Sequence, residues 1–268
     1  MTSLFHKLLG RAVLAAGIVA SSAAMATGHA GPAASALPTP TTAVLVHGAW
    51  ADGSSWAGVT PLLQRHGLKV VSVQLQRASL GEDAAIVRRA VEAQAGPVIL
   101  VGHSYGGVVI TEAGTSAKVV DLVYVDAFAP GDNESIDDLT KPYPAGAWQA
   151  GIIKDDAGYL TLRSSVYLAN FAPDVPAGEA RVMATSQGPI FAHVLDDKVS
   201  HAAWKSKPSY FVVGSADQII PPAFQLGEAK RIGAQVTMIP DASHVSMVSH
   251  PTAVANVILR AAARVNGI

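Results

Sequence analysis

The 268-residue sequence contains no cysteine. Disulfide bonds, thiol catalysis and zinc sites built from thiolates are therefore excluded, and cysteine usage says nothing about the redox compartment. Charge is also sparse, since only 15% of the residues are charged and 19 basic residues are balanced by 20 acidic ones. Without a basic excess, or a basic run interleaved with aromatic residues, we expect no nucleic-acid partner.

The first 26 residues have the layout of a secretory signal peptide. Lys7 and Arg11 precede an apolar segment over residues 12–24, and a small-x-small cleavage site ends at Ala26. The apolar segment is short for a membrane span, which needs roughly 20 residues. We therefore expect export to the periplasm or the medium, no stable membrane anchor, and a flexible Pro-, Ala- and Thr-rich lead-in over residues 27–42.

The rest of the chain is half hydrophobic overall and long enough for one α/β domain with a large core. Runs of branched apolar residues predict strands at residues 43–46, 68–75, 98–101, 119–125, 209–213 and 234–239. Helical spacing predicts helices at residues 56–66, 82–95, 108–114 and 224–231, the second with Ala85, Ile86, Ala90 and Val91 facing inward. This alternation predicts a mostly parallel sheet with helices on both faces.

The third predicted strand ends in Gly102-His103-Ser104-Tyr105-Gly106, a G-x-S-x-G pattern between a strand and a helix. This is the nucleophile-elbow pattern, in which a tight turn holds the serine in a strained conformation with its hydroxyl exposed. Gly102 and Gly106 lie where a β-carbon would collide with the neighbouring strand or helix. Ser104 is therefore the predicted nucleophile, and the backbone N–H of Tyr105 is a predicted oxyanion donor.

Polar residues follow other strands in the order that this arrangement requires. Asp217 comes after the fifth predicted strand and is the predicted acid that orients the imidazole, and His244 follows the last strand as the predicted general base. Asp126, at the end of the fourth strand, is a reserve candidate for the acid. The backbone N–H of Ala49, after the His-Gly pair that ends the first strand, is the second predicted oxyanion donor.

Residues 131–207 interrupt the strand pattern with several prolines and aromatic residues. An insertion of this length is long for a connection between two strands of one sheet, and long insertions are usually functional. We expect this segment, which has short helical stretches and no clear strands, to form a mainly helical cap over the elbow. A decorative surface subdomain is the alternative.

At these motifs the chain resembles the α/β-hydrolase superfamily over residues 43–268, and more narrowly the branch of plant methyl-ester hydrolases, hydroxynitrile lyases and their bacterial esterase relatives. The resemblance is carried by His47-Gly48-Ala49-Trp50, by residues 102–107 and 124–130, by Asp217-Gln218-Ile219-Ile220-Pro221-Pro222, and by Ser243-His244. It implies the roles given above for Ser104, Asp217 and His244, an oxyanion hole from the amides of Ala49 and Tyr105, and a cap that lines an apolar acyl or alcohol pocket.

The sequence departs from the hydroxynitrile lyases of this branch at two positions. Those lyases need a lysine directly after the catalytic histidine and a hydroxyl residue just after the first-strand histidine. Here the two positions are Val245 and Gly48. The resemblance therefore favours plain ester hydrolysis over cyanide release.

The predicted function is hydrolysis of a small-molecule carboxylic ester through an acyl-enzyme, with no metal or organic cofactor. Hydrolysis of an amide, a lactone or a carbon-carbon bond would use the same three residues, so the motifs leave it open. A ligand receptor that has kept a hydrolase fold is an alternative from another class. A nucleotide-binding module is disfavoured, because residues 102–107 match neither G-x-G-x-x-G nor a P-loop. Oligomeric state stays open, and a homodimer is compatible with the sequence.

Overall fold

The computed structural model describes residues 40–266. The predicted signal peptide and nearly all of the predicted lead-in lie outside the described residues. The lead-in was expected to reach residue 42, but the first strand begins at Thr42, and both Thr41 and Thr42 are buried. The chain therefore joins the core slightly earlier than its composition indicates.

The strands are β1 (Thr42–Val46), β2 (Lys69–Ser72), β3 (Val98–His103), β4 (Val119–Val125), β5 (Ile152–Lys154), β6 (Tyr159–Leu162), β7 (Ile190–Phe191), β8 (Ser209–Gly214) and β9 (Gln235–Ile239). The α-helices are α1 (Thr60–Arg65), α2 (Leu80–Glu92), α3 (Tyr105–Ala113), α4 (Ile136–Thr140), α5 (Ser164–Val166), α6 (Ala177–Ser186), α7 (Pro222–Arg231), α8 (Ser246–Ser249) and α9 (Pro251–Asn266). Short 3₁₀ helices cover Gly53–Trp56, Ala147–Gly151, Ala192–Leu195 and Ala203–Lys205, and a π-helix covers Tyr167–Phe171. None of the helices in the described range is long and apolar enough to span a bilayer.

The main sheet has six strands in the order β2-β1-β3-β4-β8-β9, and all of its pairings are parallel. Strands β1, β3 and β8 are buried along their whole length, whereas the edge strands β2 and β9 keep exposed residues. All six strands predicted for this sheet are confirmed. The strand order reverses between β1 and β3, and the crevice at such a reversal, at the carboxyl ends of the strands, is where open α/β sheets bind ligands.

Two of the predicted helices differ in detail from the observed ones. The helix expected at residues 56–66 is split, because a 3₁₀ turn capped by the Asp52 carboxylate precedes α1, and Pro61 lies in the first turn of α1. Helix α2 begins at Leu80, earlier than expected, because the Ser79 hydroxyl caps it by accepting from the Glu82 N–H at 3.2 Å.

The inward face of α2 was predicted only in part, since Val91 is buried as expected. The buried residues of this helix are Leu80, Asp83, Ala84, Val87 and Val91, whereas Ala85, Ile86 and Ala90 are only half-buried. The helix is turned so that Asp83 faces inward, where its carboxylate accepts from the Tyr105 hydroxyl at 2.8 Å and from two backbone N–H groups. A charged residue with buried partners thus turns the helix away from the orientation that hydropathy alone indicates.

The cap contains strands that the sequence pattern did not indicate. Strands β5, β6 and β7 form a small antiparallel sheet, so the expectation of a cap without strands is wrong, although helices still outnumber strands there. The hairpin between β5 and β6 closes on Asp155, whose carboxylate accepts from the N–H groups of Ala157 and Tyr159, and on Gly158 at φ 91°. The strands are two to four residues long, too short for a clear alternating pattern.

Candidate active site

Ser104 occupies a strained turn between β3 and α3. Its φ of 52° and ψ of −122° lie in a region that residues with a side chain rarely adopt. Local sterics explain the two flanking glycines, because a β-carbon at Gly102 would lie 2.4 Å from the Gly106 carbonyl oxygen, and one at Gly106 would lie 2.6 Å from that of Val46. The turn is held by hydrogen bonds from the Ser104 N–H to the Val125 carbonyl and from the Gly107 N–H to the Ser104 carbonyl.

Three predicted site residues meet in one chain of hydrogen bonds. His244 Nε2 lies 3.0 Å from Ser104 Oγ, and His244 Nδ1 lies 2.9 Å from Asp217 Oδ2. Because a carboxylate can only accept, the imidazole proton belongs on Nδ1, and Nε2 is left as an acceptor for the serine hydroxyl. All three residues are buried, and Ser104 keeps 7% of its surface exposed. This geometry allows a proton to pass from the hydroxyl to the imidazole.

Asp217 is fixed by donors on both of its oxygens. The N–H groups of Ile219 and Ile220 donate to Oδ1 at 2.8 and 3.0 Å, and Gln225 Nε2 donates to Oδ2 at 2.8 Å. These bonds hold the carboxylate toward the imidazole of His244. Gln225 was missed by the sequence reasoning, since no pattern singles out this position in α7.

Asp126, the reserve candidate for the acid, has other partners. Its Oδ1 accepts from the Gly214 N–H at 2.7 Å, and its Oδ2 accepts from the Ser246 N–H at 3.1 Å and from the Ser246 hydroxyl at 2.5 Å. Burial, together with repulsion from Asp217, raises the pKa of this carboxyl to about 7. The structure thus pairs His244 with Asp217, and Asp126, directly after β4, binds the end of β8 and the segment that follows His244.

The two predicted oxyanion donors flank Ser104. Tyr105 is the first residue of α3, so its N–H points out of the helix start, and Ala49 lies buried in the loop after β1. Between residues 40 and 266, neither N–H donates to another protein group. The loop before Ala49 lies close against the serine, because a β-carbon at Gly48 would be 2.7 Å from the Ser104 β-carbon. Both donors are therefore free to bind an oxygen beside Ser104.

Two further histidines hold the loops of the site. His103 Nε2 donates to the backbone carbonyl of His244 at 2.8 Å. His47 Nδ1 donates to the Gly48 carbonyl at 2.8 Å, and its Nε2 accepts from the Leu75 N–H at 3.0 Å. Burial lowers the pKa of His47 to about 4 and that of His103 well below its usual value, so both rings are neutral at pH 7.

A cavity of about 360 Å³ lies between the cap and the loop that carries Asp217. Its wall is mainly aromatic and aliphatic and includes Phe128, Tyr143, Trp148, Ile219, Ile220 and Phe224. The cavity adjoins the elbow, because the Phe128 N–H approaches the Ser104 carbonyl at 3.4 Å, and Trp148 packs edge-on against Trp50 at 5.9 Å. The apolar part of the wall can accept an apolar group near the elbow, although neither Ser104 nor His244 lines the cavity.

No group of three or more His, Asp or Glu side chains within residues 40–266 is arranged to hold a metal ion. The polar groups of the site are instead bonded to one another and to the backbone, as described above.

The sequence model of a protein family described as "Alpha/beta hydrolase family" matches residues 43–257 of the chain. This match covers both β1 and the loop that carries His244, so every site residue described above falls within it.

The chain is also similar to individual proteins of known activity or structure. The chain is 39% identical over 107 residues to the carbendazim hydrolyzing esterase of Nocardioides sp. (strain SG-4G), a match that covers 35% of this chain and 44% of that protein. The matched segment thus spans less than half of that relative. The solved structure of polyneuridine aldehyde esterase has a TM-score of 0.72 at 21% identity, covering 82% of this chain and 98% of that chain.

A bacterial structure gives a similar result. An extracellular alpha/beta-hydrolase from a Paenibacillus species, described as a structural and functional homologue of tobacco salicylic acid binding protein 2, has a TM-score of 0.71 at 21% identity, covering 83% of this chain and 99% of that chain. At these identities the two structures establish the fold.

Proposed function

Because the chain belongs to the alpha/beta hydrolase family, we propose that it is a serine esterase that cleaves carboxylic esters through an acyl-enzyme on Ser104. The observation that carries the proposal is the hydrogen-bonded chain from Ser104 through His244 to Asp217 at a strained elbow. A serine hydroxyl is a weak nucleophile unless an adjacent base takes its proton, and this arrangement supplies that base.

In the first half of the reaction, Ser104 Oγ attacks the ester carbonyl while its proton moves to His244 Nε2. The carbonyl oxygen becomes an oxyanion, which the N–H groups of Ala49 and Tyr105 stabilise. Asp217 keeps the Nδ1 proton in place and stabilises the imidazolium. His244 then gives its proton to the leaving alcohol as the ester bond breaks.

In the second half, water replaces the alcohol. His244 Nε2 takes a proton from the water as its oxygen attacks the acyl carbonyl, the same two N–H groups stabilise the second oxyanion, and the proton passes to Ser104 Oγ as the acid leaves. The net reaction converts an ester and water into an alcohol and an acid.

The apolar cavity supports an ester with a hydrophobic acyl or alcohol part. Aromatic and aliphatic side chains such as Phe128, Trp148 and Ile219 form most of its wall, and the two charged side chains on it, Asp137 and Lys141, carry opposite signs. The names of the relatives, a carbendazim hydrolyzing esterase and polyneuridine aldehyde esterase, also favour ester cleavage here. Val245 and Gly48 take the positions where cyanide-releasing relatives need lysine and a hydroxyl residue.

The proposal is tested by hydrolysis of p-nitrophenyl esters from acetate to palmitate, with the wild type, Ser104→Ala and the exposed Ser186→Ala as a matched control. We expect the wild type and Ser186→Ala to cleave the shorter esters, and Ser104→Ala to lose turnover by several orders of magnitude, about 10³-fold or more. The chain length at which cleavage stops then measures the size of the pocket.

Organophosphate labelling separates the remaining outcomes. If the wild type reacts with the probe at Ser104 but cleaves no ester, the nucleophile is active on another bond, and lactones and amides are tested next. If a folded wild-type sample neither cleaves esters nor reacts with the probe, the chain is not a serine hydrolase, and a receptor role becomes the better hypothesis.

A further inference from the structure

The residue before His244 is held by a carboxylate from the cap. The Ser243 N–H donates to Asp174 Oδ2 at 2.9 Å, and the Ser243 hydroxyl donates to Asp174 Oδ1. Ser243 is fully buried, and the Asp174 side chain is 18% exposed. Because the N–H and the hydroxyl of Ser243 both donate to this one carboxylate, both the position and the rotation of Ser243 are fixed.

Two residues of the main sheet region also hold the loop that carries His244. His103 donates to the His244 carbonyl, and Asp126 accepts from the N–H and hydroxyl of Ser246. Those two anchors belong to β3 and to the residue directly after β4, which are rigid parts of the core. Asp174 is a side-chain anchor that comes from the cap, so the position of the cap affects the loop of His244.

The cap segment that carries Asp174 also contacts the other side of the site. In this segment, residues 167–174, the Tyr167 hydroxyl donates to the Trp50 carbonyl at 3.2 Å, beside the oxyanion loop. Phe171 packs edge-on against the His244 ring at 5.0 Å, and its carbonyl accepts from the Ser243 hydroxyl at 3.4 Å. The segment begins with the π-helix, and π-helical turns occur often at functional sites.

We propose that Asp174 is a positioning residue for the reaction: from the cap it holds Ser243, and thereby His244, in line with Ser104. The inference rests on the proposed function for its effect on turnover. Its physical basis is that the Nε2–Oγ distance depends on the backbone of the loop, which Asp174 holds next to His244, and misplacement by about 1 Å can cost about a hundredfold in rate. If the cap moved away from the sheet, Asp174 would no longer hold Ser243 next to His244.

Three variants separate positioning from general stability. Asp174→Ala removes both acceptors. Asp174→Asn keeps an amide oxygen for the Ser243 N–H, while the serine hydroxyl can turn to the Phe171 carbonyl. Asp155→Ala is the matched control, because Asp155 is also a cap carboxylate that accepts from two backbone N–H groups, but both donors belong to the cap hairpin.

We expect Asp174→Ala to lower kcat by about tenfold to a hundredfold with little change in KM, because substrate contacts are kept and only the alignment of His244 is lost. Asp174→Asn should recover most of the activity, and Asp155→Ala should match the wild type. Ser243→Ala, which loses one of the two bonds, should fall between the wild type and Asp174→Ala. Circular dichroism verifies that each variant is folded.

A second readout does not depend on turnover. The proton on His244 Nδ1, bonded to Asp217, gives a low-field NMR resonance that Asp174→Ala should broaden or abolish and that Asp155→Ala should retain. An unchanged resonance and kcat in Asp174→Ala overturn the inference, and so does a loss of kcat with an unchanged resonance. If Asp174→Ala does not fold, Asp174→Asn and Ser243→Ala decide by the same two criteria.

The two proposals fail separately. If the wild type cleaves no ester but its low-field resonance is lost in Asp174→Ala, the esterase proposal fails and the positioning role stands. If the wild type is an active esterase and Asp174→Ala equals it in both readouts, the esterase proposal stands and the role of Asp174 is wrong.

Discussion

His244 Nε2 lies 3.0 Å from Ser104 Oγ, although 140 residues separate the two in the sequence. The residues follow different strands of the parallel sheet, and the carboxyl ends of all parallel strands lie at one edge. Strands β4 and β8 lie between β3 and β9, so the loop after β9 must fold back over the sheet edge to reach the serine. The loop is held there by His103, which donates to its backbone, and by Asp126 and Asp174, which accept from it.

The two buried aspartates near His244 should differ sharply in their effect on catalysis. Asp217→Asn should lower kcat by about 10⁴-fold, because an amide can stabilise the wrong imidazole tautomer. Asp126→Asn keeps the bond between His244 and Asp217, so its kcat should fall by less than about tenfold, while it should lose about 1–3 kcal/mol of stability from its bonds to Gly214 and Ser246.

Steady-state kinetics and urea unfolding of both variants check this expectation. An equal loss of kcat in the two variants would show that Asp126 shares the role assigned to Asp217.

The elbow glycines should not tolerate a methyl group. At Gly102 the added β-carbon would lie 2.4 Å from a backbone oxygen of α3, which cannot move without shifting the helix. Gly102→Ala should therefore reduce the free energy of unfolding by about 1–3 kcal/mol. The control is Gly81→Ala, in an exposed part of α2 with no atom within 4 Å, where alanine should stabilise the protein by about 0.5–1 kcal/mol.

Denaturant unfolding of the two variants at pH 7 provides the measurement. A Gly102→Ala variant as stable as the wild type would mean that the elbow adapts more easily than its contacts indicate.

The free energy of unfolding should depend on pH through the buried His47. Burial lowers its pKa in the folded protein to about 4, while an unfolded histidine titrates near 6.5. Between these values the unfolded chain binds a proton that the folded protein does not, so the free energy of unfolding rises with pH over this window. The full effect is about 3 kcal/mol and is present above pH 6.5.

The variant His47→Gln, whose amide oxygen can still accept from the Leu75 N–H, should remove this contribution. We expect the stability of the wild type minus that of the variant to increase between about pH 4 and pH 6.5 in urea unfolding experiments. A difference that stays constant with pH would contradict the assignment of His47 as a neutral buried group.

Trp148 should affect which esters are preferred. It is half-buried, lines the cavity and packs against Trp50. Trp148→Ala should raise KM for methyl phenylacetate by about fivefold, the equivalent of one lost aromatic contact of about 1 kcal/mol, and should change kcat/KM for methyl acetate little. The exposed cap variant Ile153→Ala is the control.

Initial rates on the two esters with the three proteins test this point. A parallel loss on both esters would show that Trp148 acts on the catalytic groups instead of the pocket.

The parts of the site that were predictable from the sequence depend on local geometry. Gly102 and Gly106 are required by contacts within one turn and its adjoining strand, so a five-residue pattern identifies Ser104. Asp217 follows the buried strand β8, and His244 follows the edge strand β9, and both strands are recognisable from a short stretch of sequence. The six strands of the sheet and the family were predicted for the same reason.

Other features could not be predicted because they depend on partners far away in the chain. The inward face of α2 depends on the hydrogen bond that Asp83 accepts from the Tyr105 hydroxyl, 22 residues away. The choice of Asp217 over Asp126 depends on which carboxylate the folded loop brings to His244, since both residues follow strands.

The sequence by itself determined the parallel sheet, the elbow at Ser104 and the order of the polar residues along the chain, because strand burial and tight turns are properties of short segments. Only the tertiary structure decided that Asp174 of the cap would hold the residue before His244, 69 positions later. No short pattern marks such a contact, because its geometry comes from packing the cap against the sheet.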